Sequence, residues 1–284
     1  MSEVPYRTRI ERRYSLATRL PTTAEQTILT QFTTYPYLTG EQLTRLLYSR
    51  GSARYVSAKL KTLTEAKFLQ RLDRETINVP YIYCLGIRGV RYLTSLGVDI
   101  PLFHPSEHTR HKPQFMNHTL AVNDFLIAAS LLPCYSSEVE VHEIRHDLTL
   151  KRTSQPVIPD GWIDFRIREH TQVCIWLEMD MGTMDQKPFR KKVAALIKYA
   201  QSAYAKVFGT PSLTIAFATP KGHRRVQTIY TWIEQELSAN HAAQSADVFR
   251  ILYISEKQVC PEQMFLSPIC MRPFNTDLFP LIEQ

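Results

Sequence analysis

Glycine is scarce in this chain, nine residues in 284, and none of them builds a phosphate-cradling glycine loop. That excludes a P-loop ATPase, because backbone amides wrap a polyphosphate only where side chains leave room. The cysteines (Cys84, Cys134, Cys174, Cys260, Cys270) are odd in number, widely spaced and without a C-x-x-C pair. That spacing argues against a disulfide framework or a zinc ribbon and for small buried hydrophobes in a reducing compartment. No apolar run approaches the roughly 20 residues needed to cross a bilayer. The first residues are polar and basic, with no apolar signal region. The expectation is a cytoplasmic protein without a membrane partner.

Hydrophobic residues make up 44% of the chain and charged residues 21%, a globular balance at a length suited to two domains. The net charge of +7 is unevenly spread. Residues 1–112 hold 17 Lys and Arg against 9 Asp and Glu, whereas the remainder holds 17 against 18. A polyanion-binding head on a near-neutral body follows.

Residues 1–20 carry Arg7, Arg9, Arg12, Arg13 and Arg19 and read as a basic arm. From 21 to 100 the pattern predicts three short helices, a two-stranded ribbon and a closing helix. Thr22 or Thr23 caps the first helix. Thr39 and Gln42 have capping-box spacing before the second. Val56, Leu60 and Leu63 stripe the third. This is the order of a winged helix-turn-helix, whose third helix enters the major groove while the ribbon touches phosphates. Arg54, Tyr55, Ser57, Lys59 and Lys61 on that helix, with Arg71 and Arg74 on the ribbon, are the candidate DNA contacts. A protein-docking three-helix module is the alternative.

Residues 101–114, with His104, His108 and His111, read as a solvated linker. A second domain over 115–256 has the order α-β-β-β-α-β-α-β, predicting a mixed sheet flanked by helices, so the class expected is α/β (α+β). The tail, 257–284, shows little pattern and is expected to wrap the surface.

Two apolar runs in the second domain are interrupted by carboxylates. Val157–Asp164 contains Asp160 and Asp164; Cys174–Asp180 contains Glu178 and Asp180. As neighbouring strands they bring Asp160 and Glu178 together, a pair of oxygen donors for a hard cation such as Mg²⁺ or Mn²⁺. On the helix that follows, Phe189, Val193, Leu196, Ile197, Ala200 and Tyr204 form one stripe, and Lys187, Lys191 and Lys198 fall opposite it, toward solvent or nucleic acid. Lys192 and Tyr199 share its flank. Lys192 is either a lysine reaching the carboxylates, with Tyr199 as a phosphate or water contact, or an ordinary surface lysine. Glu138 and Glu140 read as a solvated strand face, or one of them as a third ligand. Asp164 extends the acidic cluster or binds an arginine. Asn123 and Asp124 approach the site from the first helix of the domain, whose His118 is structural.

Pro159-Asp160 entering one strand and Glu178-x-Asp180 leaving the next resemble the PD-(D/E)xK nuclease superfamily, with Asp180 standing where a lysine is usual. More narrowly, His118-Thr-Leu-Ala-Val-Asn-Asp124, Pro159-Asp160-Gly161 and Leu177-Glu-Met-Asp-Met-Gly-Thr183 resemble the replication-relaxation family of plasmid and mobile-element proteins, over roughly residues 20–255. The resemblance implies a DNA protein in replication, transfer or relaxation, alongside a relaxase or transposase. By the resemblance Asp160 and Glu178 match the two magnesium-holding carboxylates; in the endonuclease reading Asp180 joins them, and Lys192, from its place on the helix flank, serves as the migrated catalytic lysine. Three readings stay open: a metal-dependent endonuclease or nickase, a non-enzymatic DNA-binding accessory protein, and a transcriptional regulator.

Overall fold

The computed structural model describes residues 19–72, 80–100, 113–150, 157–168, 171–255 and 260–283. Arg7, Arg9, Arg12, Arg13, Arg74 and the three linker histidines lie outside the described residues. The chain divides into two compact units, 1–120 and 121–284.

In the first unit α1 (Thr23–Thr34), β1 (Leu38–Thr39), α2 (Gly40–Leu47), α3 (Ala53–Glu65), β2 (Leu69–Arg71), β3 (Ile82–Leu85) and α4 (Ile87–Ser95) follow in order. Thr22 and Glu25 form a capping box on α1, Thr39 and Gln42 one on α2. Each satisfies amides that the first turn leaves without partners. Ile28, Leu29, Leu43, Val56, Leu60 and Leu93 are buried at one core. The expected two-stranded ribbon gains a third member, because Leu38 pairs with Tyr83 and gives the order β1-β3-β2.

The long helix α5 (Pro113–Leu131) carries the boundary between the units inside it, at Leu120/Ala121. Its first turns belong to the first unit, since Phe115 and Met116 pack with Tyr37, Leu72 and Cys84 and the Gln42 side chain donates to Leu120 O. With its 3₁₀ extension to Cys134 the helix holds an 18-residue window of mean hydropathy 1.2, and is long and apolar enough by length and composition alone to cross a bilayer. Asn117, His118, Asn123 and Asp124 interrupt it, so it is not an unbroken apolar run. Over half of the span is buried, and Phe125, Leu126 and Ala129 are core residues.

The second unit holds a seven-stranded mixed sheet in the order β10-β9-β8-β7-β6-β5-β4. Its strands are β4 (Val139–His146), β5 (Gly161–Ile167), β6 (Thr171–Met179), β7 (Thr214–Thr219), β8 (Phe249–Tyr253), β9 (Cys270–Met271) and β10 (Leu278–Phe279). β6, β7 and β8 run parallel; the other neighbours are antiparallel. The helices are α6 (Asp147–Leu150), α7 (Gln186–Ser202), α8 (Tyr204–Phe208), α9 (His223–Ala239) and α10 (Pro261–Leu266). The tail does not simply wrap the surface. It adds β9 and β10 to the sheet, and Phe265 meets Phe125 and Phe165 edge-on, with centroids 5.2 and 5.5 Å away.

Strand alternation sorts the sheet into two faces. Trp162, Cys174 and Trp176 pack with Phe189, Val193, Ile229 and Ile233 of α7 and α9. The odd-numbered β5 positions face the α5 side, where a Cβ on Gly161 would come within 2.9 Å of the Leu126 side chain. The glycine after Asp160 thus lets helix and strand approach closely here.

Candidate functional site

The two carboxylates meet because β5 and β6 are antiparallel neighbours in the register Gly161↔Leu177. Asp160 immediately precedes that pair and Glu178 immediately follows it, which brings the two carboxylates close enough for the Asp160 charge to act on Glu178. Asp160 N donates to Leu177 O at 3.0 Å, and Met179 N donates to Asp160 Oδ2 at 2.7 Å. The aspartate therefore continues the ladder with its own side chain and is held rigidly at the strand entrance.

Glu178 is only 1% exposed. Trp176, two positions earlier on the same face, donates its indole N–H to Glu178 Oε1 at 2.6 Å. The Lys192 ammonium of α7 forms an ion pair with Glu178 Oε2. Burial pushes the Glu178 carboxyl above its ordinary value; Lys192 pulls it back, and the nearby Asp160 charge adds to the rise. Burial alone would lower the Lys192 ammonium, but the charges of Glu178, Asp160 and Asp180 outweigh it and hold the group above its usual range. Lys192 thus stays charged among three carboxylates.

Asp180 has a different partner. Arg225 grips it in a fork, Nε to Oδ2 at 2.7 Å and Nη2 to Oδ1 at 2.8 Å, and Gly182 N donates to Oδ2 at 3.0 Å. Both carboxylate oxygens are engaged, so Asp180 anchors Arg225 instead of offering a third oxygen to a cation. Glu178, Asp180 and Lys192 still line one small cavity with Met184, Phe189 and Phe217, of about the size that a single water needs.

The other candidates lie elsewhere. Asp164 is buried four residues along β5, about 13 Å from Asp160, and accepts from Arg166 Nη2 at 3.1 Å and Gln172 Nε2 at 2.9 Å. Of the two roles open to it, the arginine partner is the one present. Glu138 pairs with Arg168 beyond the far end of β5, and Glu140 stands opposite Arg166 near that end. Neither reaches the cluster. Tyr199 is buried against Trp176, ring centroids 5.6 Å apart, in the core beneath the site. Asn123 is fully buried and Asp124 half-buried on α5.

Arg225 escaped the sequence reading, and so did His146 and Asp147. His146 pairs with Gly161 across the ladder, and Asp147 N donates to Asp160 O at 3.2 Å. The His146 imidazole is buried against the Asp147 carboxylate. Trp176 was legible as an apolar strand residue, but its indole reach to Glu178 follows only from their shared face.

A cation needs hard oxygens here. Among the described residues no group of three or more His, Cys, Asp or Glu is placed to hold a metal ion. Glu178, like Asp180, has both oxygens engaged, Oε1 by Trp176 and Oε2 by Lys192, so a magnesium ion held by Asp160 and Glu178 would have to share Oε2 with Lys192 or displace it.

In the first unit Arg54, Tyr55, Ser57 and Lys61 lie on the exposed side of α3. Lys59 is turned inward to Glu25, 3.3 Å away, and Tyr55 stacks edge-on with Tyr48 at 5.6 Å. Arg71 lies over the Tyr81 ring at 4.3 Å.

Searches of curated proteins and of solved structures give no match. The replication-relaxation family model, however, matches residues 29–210, spanning most of the helical head and the whole Asp160–Glu178–Lys192 cluster. This chain belongs to the replication-relaxation family.

Proposed function

We propose that this is a cytoplasmic DNA-binding protein of a plasmid or mobile element whose second unit carries a nuclease-type site that nicks or cleaves DNA during replication, transfer or transposition. The family points to plasmid or mobile-element replication and relaxation. The finer reading is supported above all by one observation: a buried Glu178–Lys192 ion pair with the Asp160 carboxylate close beside it. A structural ion pair has no need of a second carboxylate beside it; a phosphodiester site does.

In this reading Asp160 and Glu178 hold Mg²⁺ or Mn²⁺, which when bound activates water and screens phosphate charge. Lys192, kept protonated by its neighbours, is placed to neutralise charge that develops on the scissile phosphate. Trp176 fixes the Glu178 carboxylate so that little reorganisation remains. The first unit is read as a winged helix that selects the DNA, with Arg54, Tyr55, Ser57 and Lys61 toward the groove, Arg71 on the ribbon and Lys59 held back by Glu25. A relaxase or transposase is the expected protein partner.

Supercoiled plasmid incubated with the protein and Mg²⁺ or Mn²⁺ is expected to yield nicked or linear product, and Asp160→Ala to remove it. Product formed equally by wild type and Asp160→Ala sinks this assignment. A second reading, a non-catalytic accessory protein, is favoured by Asp180 in the usual lysine place and its commitment to Arg225. It expects DNA binding without cleavage, unchanged in Asp160→Ala and Glu178→Gln.

A further inference from the structure

Residues 181–225 hold nine Lys and Arg and one acidic residue, Asp185. This concentration is hidden in the near-neutral total of the second unit. Three of the nine are engaged inside the fold: Arg190 with Glu236, Lys192 with Glu178 and Arg225 with Asp180. Lys187, Lys191, Lys221 and Arg224 are exposed, and none of them has an ion-pair partner among the described residues. Like charges without counter-charges repel one another where they lie close, as Lys221 and Arg224 do three positions apart, a cost that a polyanion relieves.

Their location gives the concentration a direction. The turn after β7 lies at the carboxyl edge of the parallel strands, the edge where open α/β sheets bind ligands. The Lys221 stem crosses Gly182, where a Cβ would come within 3.1 Å of Lys221 Cγ and where φ is +75°. Gly182 is tied through its N–H to Asp180, and Asp180 lines the cavity with Glu178 and Lys192. On the other flank the His223 ring rests on Tyr253 at the end of β8, centroids 4.9 Å apart. The Asp180–Arg225 fork thus fixes the cationic turn beside the acidic site.

We propose that this turn and the first turn of α9 form a second phosphodiester-binding surface, in which Lys221 and Arg224 hold the backbone of duplex DNA next to the Asp160–Glu178–Lys192 cluster. The inference rests on the reading of the chain as a DNA-binding protein, and extends it from the helical head to the second unit.

The test uses the full chain and a short fluorescent duplex, titrated at several salt concentrations. Lys221→Ala/Arg224→Ala is expected to weaken binding and to flatten the log–log salt slope by about 2, roughly 0.9 for each phosphate that is no longer neutralised. Lys198→Ala/Lys206→Ala removes the same charge farther along and should leave the slope unchanged. Lysine acylation of wild type, with and without duplex, should show Lys221 protected by DNA and Lys206 not. If wild type binds but the Lys221/Arg224 variant keeps its slope and Lys221 stays reactive, the surface is refuted while the DNA-binding reading stands. If Arg54→Ala/Lys61→Ala leaves binding intact and Lys221→Ala/Arg224→Ala removes it, the surface stands and the head loses its role. Absence of binding by wild type overturns both.

Discussion

The ammonium of Lys192 on α7 and the carboxylate of Glu178 on β6 form an ion pair in which the acid is almost wholly buried and the lysine about one-third exposed. Each depends on the other, because a charge stranded in the interior costs more than the pair gains over an apolar replacement. Lys192→Met should therefore destabilise the full chain by about 3 kcal/mol, the low end for a broken buried pair given the partial exposure. Adding Glu178→Gln should return much of that loss. Denaturant unfolding of the two single variants and the double variant reads the coupling directly. Additive losses would show that the pair is not coupled.

Glu25 offers a pH test in the other unit. Burial would raise its carboxyl, but Arg19, the Thr22 N–H and Lys59 bond its ionised form and hold it down at about 2, against an ordinary value of 4.5. A folded value below the unfolded one means that the ionised group stabilises the fold above about 4.5, and that this contribution is lost as pH falls toward 2. Wild type should thus exceed Glu25→Gln in stability near neutrality, and the gap should close in acid. A gap that persists below pH 2 would contradict the assignment.

Gly182 sits at a left-handed φ of +75° with Lys221 across it. Gly182→Ala forces a side chain into a conformation that it disfavours, at about 1–2 kcal/mol, and pushes the Lys221 stem aside. The expected signature is a lowered midpoint in thermal unfolding together with altered acylation of Lys221. A variant as stable as wild type, with Lys221 equally reactive, would show that the turn is not fixed as described.

The sequence made the Asp160–Glu178 juxtaposition legible because strand alternation has a period of two and the two runs are consecutive, so one hairpin decides which face both take. Lys192 was legible as a flank position because the α7 stripe is regular. His146 and Asp147 were not. β4 meets β5 through an irregularity between Val141 and Glu143 that shifts the register by one residue, and nothing in the apolar pattern marks it. The Asp180–Arg225 fork joins residues 45 positions apart, a separation over which local periodicity carries no information. β1 and β10 have two residues each, too few for any alternation to show. Segregation of charge inside the second unit was masked by summing over the whole of it.

The last prediction separates the two carboxylates that follow each other on β6. Asp180 resembles a metal ligand in sequence, yet both of its oxygens are held by Arg225, whereas Glu178 has the Asp160 charge close by and Lys192 as its ion-pair partner. Calorimetric titration with Mn²⁺ should give heat for wild type, none for Glu178→Gln and a near-wild-type isotherm for Asp180→Asn. Asp180→Asn should instead lose about 2 kcal/mol of stability, the range for charge-assisted hydrogen bonds to a buried arginine. Loss of Mn²⁺ binding in Asp180→Asn with unfolding unchanged would reverse the assignment, giving the cation to Asp180 and leaving the Arg225 fork as a contact that opens on binding. Binding retained in Glu178→Gln would remove that glutamate from the metal site altogether, and with it the reason for a lysine to be buried beside it.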